Sequence, residues 1–484
     1  MAENTLTSRG RIKICHEGFM YTKHKRLADG SFRWRCVDRV KRSCRASCKG
    51  NENGDVENVT QHNHEANNIA VELAHHRVHM KQSTQNGMAN TQAVLAQSLV
   101  NLSVDARQNH PDLESTKRAL RLQRSRFMPR DPQNLQELLI AGEQATTGGA
   151  AGDRFLLRDY VDAAERVIVF ATDENLRRLC AADVWHIDGN FSMAPILFAQ
   201  VYVILARVSG VILPVVFALL QRKTQTSYEH LFRILSESCT DLRLPPLGPD
   251  RVILDFEAVS INAITAVLGA GIRIQGCFFH LCQSTYRKVQ RLGLMHMYDN
   301  EREFKIFVRM LDALAFLPTA QVNAGMTYLR GTMSPEAAPI VDYFDSTYVS
   351  GSFRRIAGQN QLQMRMRRIP PTFAPALWNV HQITVNGDAR TNNVMEGWNH
   401  KLRHLVGHQH PTVWKLIKCL QMEQAYTETI LAQLDVGHIP PRMRTRRIYL
   451  RLQLRLQRLC MDFVGGERDI PNFLRSVAIC LSHI

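Results

Sequence analysis

The sequence predicts an α/β protein of several domains. Three observations carry that reading. Between 153 and 292, three apolar strand-like runs in succession are followed by strand–helix alternation, the pattern of a sheet whose first strands are antiparallel. Residues 293–390 then lose the strand signal and take on helical period. Ahead of both lies a short aromatic stretch with clustered Cys and His, too small to fold on apolar burial alone.

In residues 1–66 the turn signals "ADGS" and "NENGD" separate short alternating runs, which predicts a small β-rich unit. Its candidate metal ligands are Cys36, Cys44, His62 and His64. Zn2+ takes four such ligands in a tetrahedron. On a strand, His62 and His64 would share a face, as one ion requires. The competing reading is a reduced structural Cys pair beside exposed histidines. The stretch "GFMYTKHKRLADGSFRWRCVDRVKRSCRASCKG" with "VENVTQHNHEA" resembles a FLYWCH-type zinc finger over about 14–65, Tyr21 and Trp34 falling at its aromatic positions. The resemblance implies a zinc-binding β module that contacts DNA or a protein. Cys48 departs from the pattern as an extra thiol that could compete with Cys44.

Residues 67–152 are polar and rich in Gln, Asn and Ala, and read as a helical, DNA-binding region. "TQAVLAQSLVNL" and "DLESTKRALRLQRSRF" have helical spacing, and "DPQNLQELLIAGE" starts like a capped helix with Asp131 ahead of Pro132. His75, His76 and His79 read as solvated helix residues, and "TTGGAAGD" as a break.

In 153–292 the expected strands are 184–191, 197–208, 211–220, 251–256 and 272–279, and the expected helices 226–239, 258–269 and 281–292. "VYVILARVSGVILPVVFALL" is interrupted by Arg207, Gly210 and Pro214, so it reads as two buried strands and not a membrane span. The region 293–390 reads as an all-helical insertion. A further helix is expected at 392–406, inside a segment 391–430. The tail 431–484 is ambiguous: Ile448 to Leu456 alternate like a strand, yet Leu452, Leu456, Leu459 and Phe463 fit a helix face. A basic amphipathic helix is the favoured reading.

Asp188 ends the first core strand and Asp255 ends another, "RVILDFE". A carboxylate closing an apolar strand is costly unless paired, although a turn or helix-capping role is the commoner explanation. If the two strands are neighbours, the carboxylates converge on a divalent ion, and Glu396 in "RTNNVMEGWNHKL" is the best third ligand. Glu257, two residues past Asp255, competes for that place. Gly189 is expected to leave room beside Asp188 for ions and a phosphate.

The run from "WHIDGNFSM" through "VILDFEAVSINAI" to "IQGCFFHLCQSTYRKVQ" resembles the transposase domain of Mutator-like elements over about 183–290, and "RTNNVMEGWNHKL" its distal motif. That resemblance implies an RNase H-like core with a catalytic triad of Asp188, Asp255 and Glu396 holding Mg2+ or Mn2+. It also places Cys277 and His280 at the family's accessory Cys-x-x-His motif, read here as structural or substrate-orienting.

The net charge of +16 and pI near 9.5 favour a polyanionic partner. The N-terminus lacks an apolar signal core, and the 11 Cys read as reduced, so an intracellular and specifically nuclear setting is expected, with no membrane partner. The basic runs Lys23–Arg26 and Arg442–Arg447 are either phosphate contacts, import signals or solvated loops. Together these features lead to a DNA transposase acting as a homo-oligomer on element ends and target DNA. The alternative is a domesticated zinc-finger regulator without catalysis.

Overall fold

The computed structural model describes residues 3–6, 12–51, 55–86, 91–125, 129–148, 152–357, 364–388, 390, 392–438 and 447–481. They form two compact units, Met1–Asp131 and Pro132–Ile484.

The first unit opens with a six-stranded antiparallel sheet in chain order: β1 (Glu3–Leu6), β2 (Ile12–His16), β3 (Phe19–Arg26), β4 (Phe32–Cys36), β5 (Ser47–Gly50) and β6 (Val56–Glu57). Glu17 (φ 49°) and Gly18 (φ 79°) turn β2 into β3 with both central residues left-handed, the conformation that matches strand twist. The register Ile14–Tyr21 and Trp34–Cys48 gathers one small core of Ile14, Tyr21, Trp34 and Cys48. With Ile12, Phe19, Phe32 and Val56 half-buried around them this is still a slight core, which leaves stability to a cross-link or metal.

Helices α1 (Asn68–Asn86), α2 (Thr91–Val100), α3 (Val104–Gln108) and α4 (Leu113–Ser125) follow, packed around Met80, Val94, Leu95 and Leu120. The helical expectation for 67–152 is met over these four helices, where one side-chain reading is corrected. His76 is buried, not solvated, and its ring lies 5.3 Å from that of His110.

The second unit corrects the helix expected after Pro132: residues 132–141 are turns and irregular chain. Arg166 accounts for this by donating to the carbonyls of Leu135 and Leu138, which a helix would have used internally. The Glu137 carboxylate likewise accepts from Gln133 N–H at 2.9 Å. The break expected at 146–153 lies partly outside the described residues.

A seven-stranded mixed sheet follows. Its elements are β7 (Leu156–Val161), β8 (Arg166–Phe170), α5 (Asp173–Ala181), β9 (Val184–Asn190), β10 (Gln200–Val208), β11 (Val211–Leu220), α6 (Gln225–Asp241), β12 (Arg251–Leu254), α7 (Ala258–Leu268), β13 (Arg273–Gly276) and α8 (Phe278–Arg291). The strand order is β13-β12-β9-β10-β11-β8-β7. β7 to β11 pair antiparallel, while β12 runs parallel to both β9 and β13. Pro214 sits at the register shift in β11, the one place a central strand tolerates a residue without N–H. The expected strand 272–279 is too long: the chain leaves β13 at Gly276 and is helical from Phe278. One face of the sheet packs on α5, α6 and α7.

Beyond α8 come α9 (Met295–Asn300), α10 (Arg302–Ala313), α11 (Val322–Thr332), α12 (Ala338–Phe344), the hairpin β14 (Ser352–Ala357) and β15 (Met364–Ile369), α13 (Pro375–Trp378) and α14 (His381–Val385). The region is therefore not all-helical. Its hairpin carries a run of alternating Arg and apolar residues that helical periodicity masks in the sequence. Next are α15 (Asn393–Val406), α16 (Val413–Asp435), α17 (Arg447–Val464) and α18 (Ile470–Leu481). The tail resolves to helix, because Leu456, Leu459 and Cys460 of α17 and Phe473, Leu474 and Val477 of α18 enter the same core as α8 to α14. The basic run Arg442–Arg447 lies outside the described residues except for Arg447.

Candidate functional site: a Cys2His2 cluster and a carboxylate edge

Cys36 closes β4 and Cys44 lies in the loop that returns to β5, both buried. His62 and His64 reach them from an irregular segment after β6, not from a strand as expected. A loop serves because each imidazole can choose which nitrogen it offers. Cys36 Sγ is 3.3 Å from His64 Nε2, Cys44 Sγ 3.4 Å from His62 Nδ1, and the two histidine nitrogens 3.3 Å apart. A tetrahedron with Zn–N and Zn–S of ~2.1 and ~2.3 Å requires ligand separations of about 3.3–3.8 Å. All four ligand atoms lie within 4.8 Å of one another, so the residues fit zinc.

The outer nitrogens are also placed. His62 Nε2 meets the Tyr21 hydroxyl at 2.8 Å, and His64 Nδ1 donates to the Glu65 carbonyl at 3.0 Å. These bonds select the ring nitrogen that faces the cluster. Phe19 stacks on His62 at 3.8 Å. Burial pushes the Cys36 thiol up to about 11, with Cys44 adding to it, so a thiolate here needs a cation beside it. Burial and His64 lower His62, keeping it neutral and able to ligate. Cys48 stands apart, inside the Ile14–Tyr21–Trp34 core, and does not join the cluster.

The second unit brings Asp188 and Asp255 together where two interior strands of the sheet finish, with Glu396 close enough to feel the Asp255 charge. β12 runs beside β9 with Ile253 opposite His186, and continuing that register sets Asp255 level with Asp188. Asp188 Oδ2 accepts from Asn399 Nδ2 of α15 at 2.5 Å, and Oδ1 from Gly189 N–H at 2.8 Å. Burial and then the Asp255 charge push the Asp188 carboxyl up to about 7, against Asn399, His280 and Gly189. A buried carboxylate whose ionisation is opposed by a neighbouring carboxylate is a candidate functional group. Glu396, on the first turn of α15, keeps an exposed side chain. Its carboxyl is raised by partial burial and by Asp255, with His280 opposing.

His280 Nδ1 lies 2.6 Å from Asp255 Oδ1. Burial works against its charge, but Asp255 and Cys277 outweigh it and lift the imidazole to about 10. Cys277 is fully buried at the start of α8, where its sulfur accepts the Asn392 N–H at 3.2 Å. Thus Cys277 and His280 divide their tasks: the thiol seats the entry to α15, and the imidazole faces Asp255.

Several residues went unrecognised in the sequence. Asn392, directly before α15, bonds His186 Nδ1 at 2.8 Å and the Ile187 carbonyl at 3.4 Å, so it ties α15 to β9. Gln200, fully buried, donates to the Tyr228 hydroxyl at 2.6 Å, and Tyr228 donates to Glu257 at 2.8 Å. Glu257 pairs with Lys223 at 3.0 Å, from a position at the start of α7 and not on a strand. Gly189 serves Gln200: a Cβ there would collide with the Gln200 carbonyl, so the space expected for ions holds an amide. The one available signal was the Gly itself, which marks close approach but not its partner. A cavity of about 250 Å3 joins Asp188, Asp255, Glu257 and Lys223.

Residues 5–64 match the FLYWCH zinc finger domain, and residues 184–284 match the MULE transposase domain. The first span contains all four Cys2His2 residues; the second contains Asp188, Asp255, Cys277 and His280 and ends before Glu396. No curated protein and no solved structure matches the chain. Among the described residues no helix is long and apolar enough to cross a membrane.

Proposed function

We propose that this protein is a DNA transposase of the Mutator-like type, acting in the nucleus as a homo-oligomer on element ends. The observation that carries the reading is the convergence of Asp188, two residues inside the end of β9 and not at its end as expected, with Asp255, directly after the parallel neighbour β12, inside the span that matches the MULE transposase domain. An RNase H-like core is supported by the same layout, with two carboxylates from adjacent strands and Glu396 from the helix tied beside them.

Asp188, Asp255 and Glu396 are the residues that would hold Mg2+ or Mn2+, whose hard oxygen preference suits a carboxylate set. Bound there, such ions would lower the cost of forming an attacking oxyanion and of releasing one from phosphorus. The chain's own part is placement. Asn399 orients Asp188, His280 orients Asp255, and Asn392 sets the height of the helix that carries Glu396. In the reaction proposed, water attacks an end phosphodiester and frees a 3′ hydroxyl. That hydroxyl then attacks a target phosphodiester, one P–O bond forming as another breaks.

The zinc finger supports duplex DNA as the partner, and so does the net charge of +16. The same finger also fits a DNA-binding regulator that does not cut. Cleavage of labelled end DNA with added Mn2+ decides between them. Asp188→Asn is expected to reduce cleavage at least ~10^3-fold while duplex affinity changes little. Wild-type protein that binds ends but never cuts them supports the regulator; cutting that survives Asp188→Asn removes the triad.

A further inference from the structure

Asp255 and Phe256 line two cavities. One holds Asp188; the other, of about 330 Å3, is walled by α8 and by the segment around Tyr343 and Tyr348. Arg287, Lys288 and Arg291 of α8 line this second cavity. Among the described residues none of the three is within ion-pair distance of a carboxylate, whereas Arg178, Arg233 and Arg330 elsewhere in the unit are all paired. Placement near the C-terminus of α8 offsets the helix dipole and accounts for some of this charge. It does not account for a concavity that opens on a candidate catalytic carboxylate.

The aromatic wall is held in place. Lys288 Nζ sits 4.8 Å from the centre of the Tyr343 ring. The Tyr343 hydroxyl meets Ser284 Oγ at 2.7 Å, and Tyr348 donates to the same oxygen at 2.8 Å. Unpaired cations beside a fixed aromatic ring, in a recess, are the features that bind an unpaired nucleic-acid strand. A duplex presents a convex surface with its base faces covered, so it can meet the cations but not the ring.

We propose that this recess binds one unpaired nucleotide of the DNA strand whose neighbouring phosphodiester lies at Asp188 and Asp255. Arg287 and Arg291 hold its phosphates, and Tyr343 stacks with its base. This rests on the phosphodiester reading above and adds to it a requirement for strand separation beside the cut.

The test uses the full chain with zinc retained and no added Mg2+ or Mn2+, and fluorescence anisotropy on two labelled DNAs: a blunt duplex and the same duplex with a single-stranded 3′ overhang. Arg287→Gln with Arg291→Gln, both on the exposed surface of α8, is expected to weaken overhang binding by about tenfold. Its log–log salt slope should fall by about 1.4, at ~0.7 per single-strand phosphate contact. Blunt-duplex affinity should change less than ~2-fold. Tyr343→Leu should weaken overhang binding by about fivefold or more without changing the salt slope. Equal losses on both DNAs, or no loss on the overhang, overturn the pocket. Its failure is separable from that of the function: if Asp188→Asn still cuts but overhang selectivity persists, the catalytic reading falls and the pocket stands. If cutting depends on Asp188 but selectivity is absent, the pocket alone falls.

Discussion

The Cys2His2 cluster and the carboxylate edge are built on opposite plans. In the first unit four ligand atoms already stand at tetrahedral spacing, and the spare histidine nitrogens are occupied by Tyr21 and Glu65. No position is left for a substrate, which is the mark of a structural site. In the second unit the carboxylates repel, each is held by a neighbour of another chemical type, and Glu396 remains exposed. A cavity touches both aspartates. The contrast is between four ligands that close a small fold around one point and carboxylates that leave a recess open beside them, as the proposed reaction would require.

Removing zinc is the strongest way to break this comparison. Structural zinc sites contribute on the order of 10 kcal/mol, and among the described residues the finger's main core has four fully buried side chains with four half-buried ones around them. Chelation, or Cys36→Ser, should therefore unfold residues 12–65, seen as loss of amide-exchange protection in β2 to β5, and leave the sheet of the second unit protected. Acid should act in the same direction, since protons compete for the Cys and His ligands as pH falls. Protection of β2 to β5 that survives complete zinc removal would contradict a structural role.

The carboxylate edge should respond the other way. Asp188 titrates at about 7 in the folded chain through burial and the charge of Asp255, against ~3.9 when unfolded. The folded state then binds the extra proton between these values. The stability this contributes is present below about pH 4 and lost as pH rises through about 7. Asp188→Asn, which stays neutral, should melt several degrees above wild type at pH 8 and level with it near pH 4. Added Mn2+ should raise the wild-type melting temperature at pH 8 and leave the variant unchanged. Equal melting curves across that range would mean that Asp188 is not under strain from its neighbour.

The smallest effect sharpens the account of positioning. Asn392→Ala leaves His186 Nδ1 without its partner in a buried site, at a cost of about 1–3 kcal/mol. Because Asn392 acts through α15, its loss should also weaken Mn2+ affinity, measured by the shift in metal concentration at half-maximal cleavage, with duplex binding unchanged. A loss of stability with no change in metal dependence would make Asn392 structural only.

Cys36, Cys44, His62 and His64 were legible because rare residue types lie within one short segment, so local spacing constrains their meeting. Their presentation was not: the histidines come from a loop, His62 held by a hydroxyl on β3 and His64 by the Glu65 carbonyl. The core strands from Val184 to Leu220 were legible as short, predominantly apolar runs. β7 and β8 were passed over although "RVIVF" is a plain strand signal. The helix expected from Pro132 failed because a distant arginine takes its carbonyls, and His76 was misjudged because polar composition hides a buried helix face.

Local pattern thus specified which core segments become strands and which Cys and His can share an ion. These follow from the period of side chains along the chain, which needs no partner to be read. Tertiary structure alone decided who stands beside whom. It set Asn399 on Asp188, His280 on Asp255, Asn392 between β9 and α8, and Gln200 in the space above Gly189. Asn and Gln occur everywhere and carry no period. Their roles exist only once the fold sets a buried donor or acceptor beside them, more than a hundred residues away for Asn392 and Asn399.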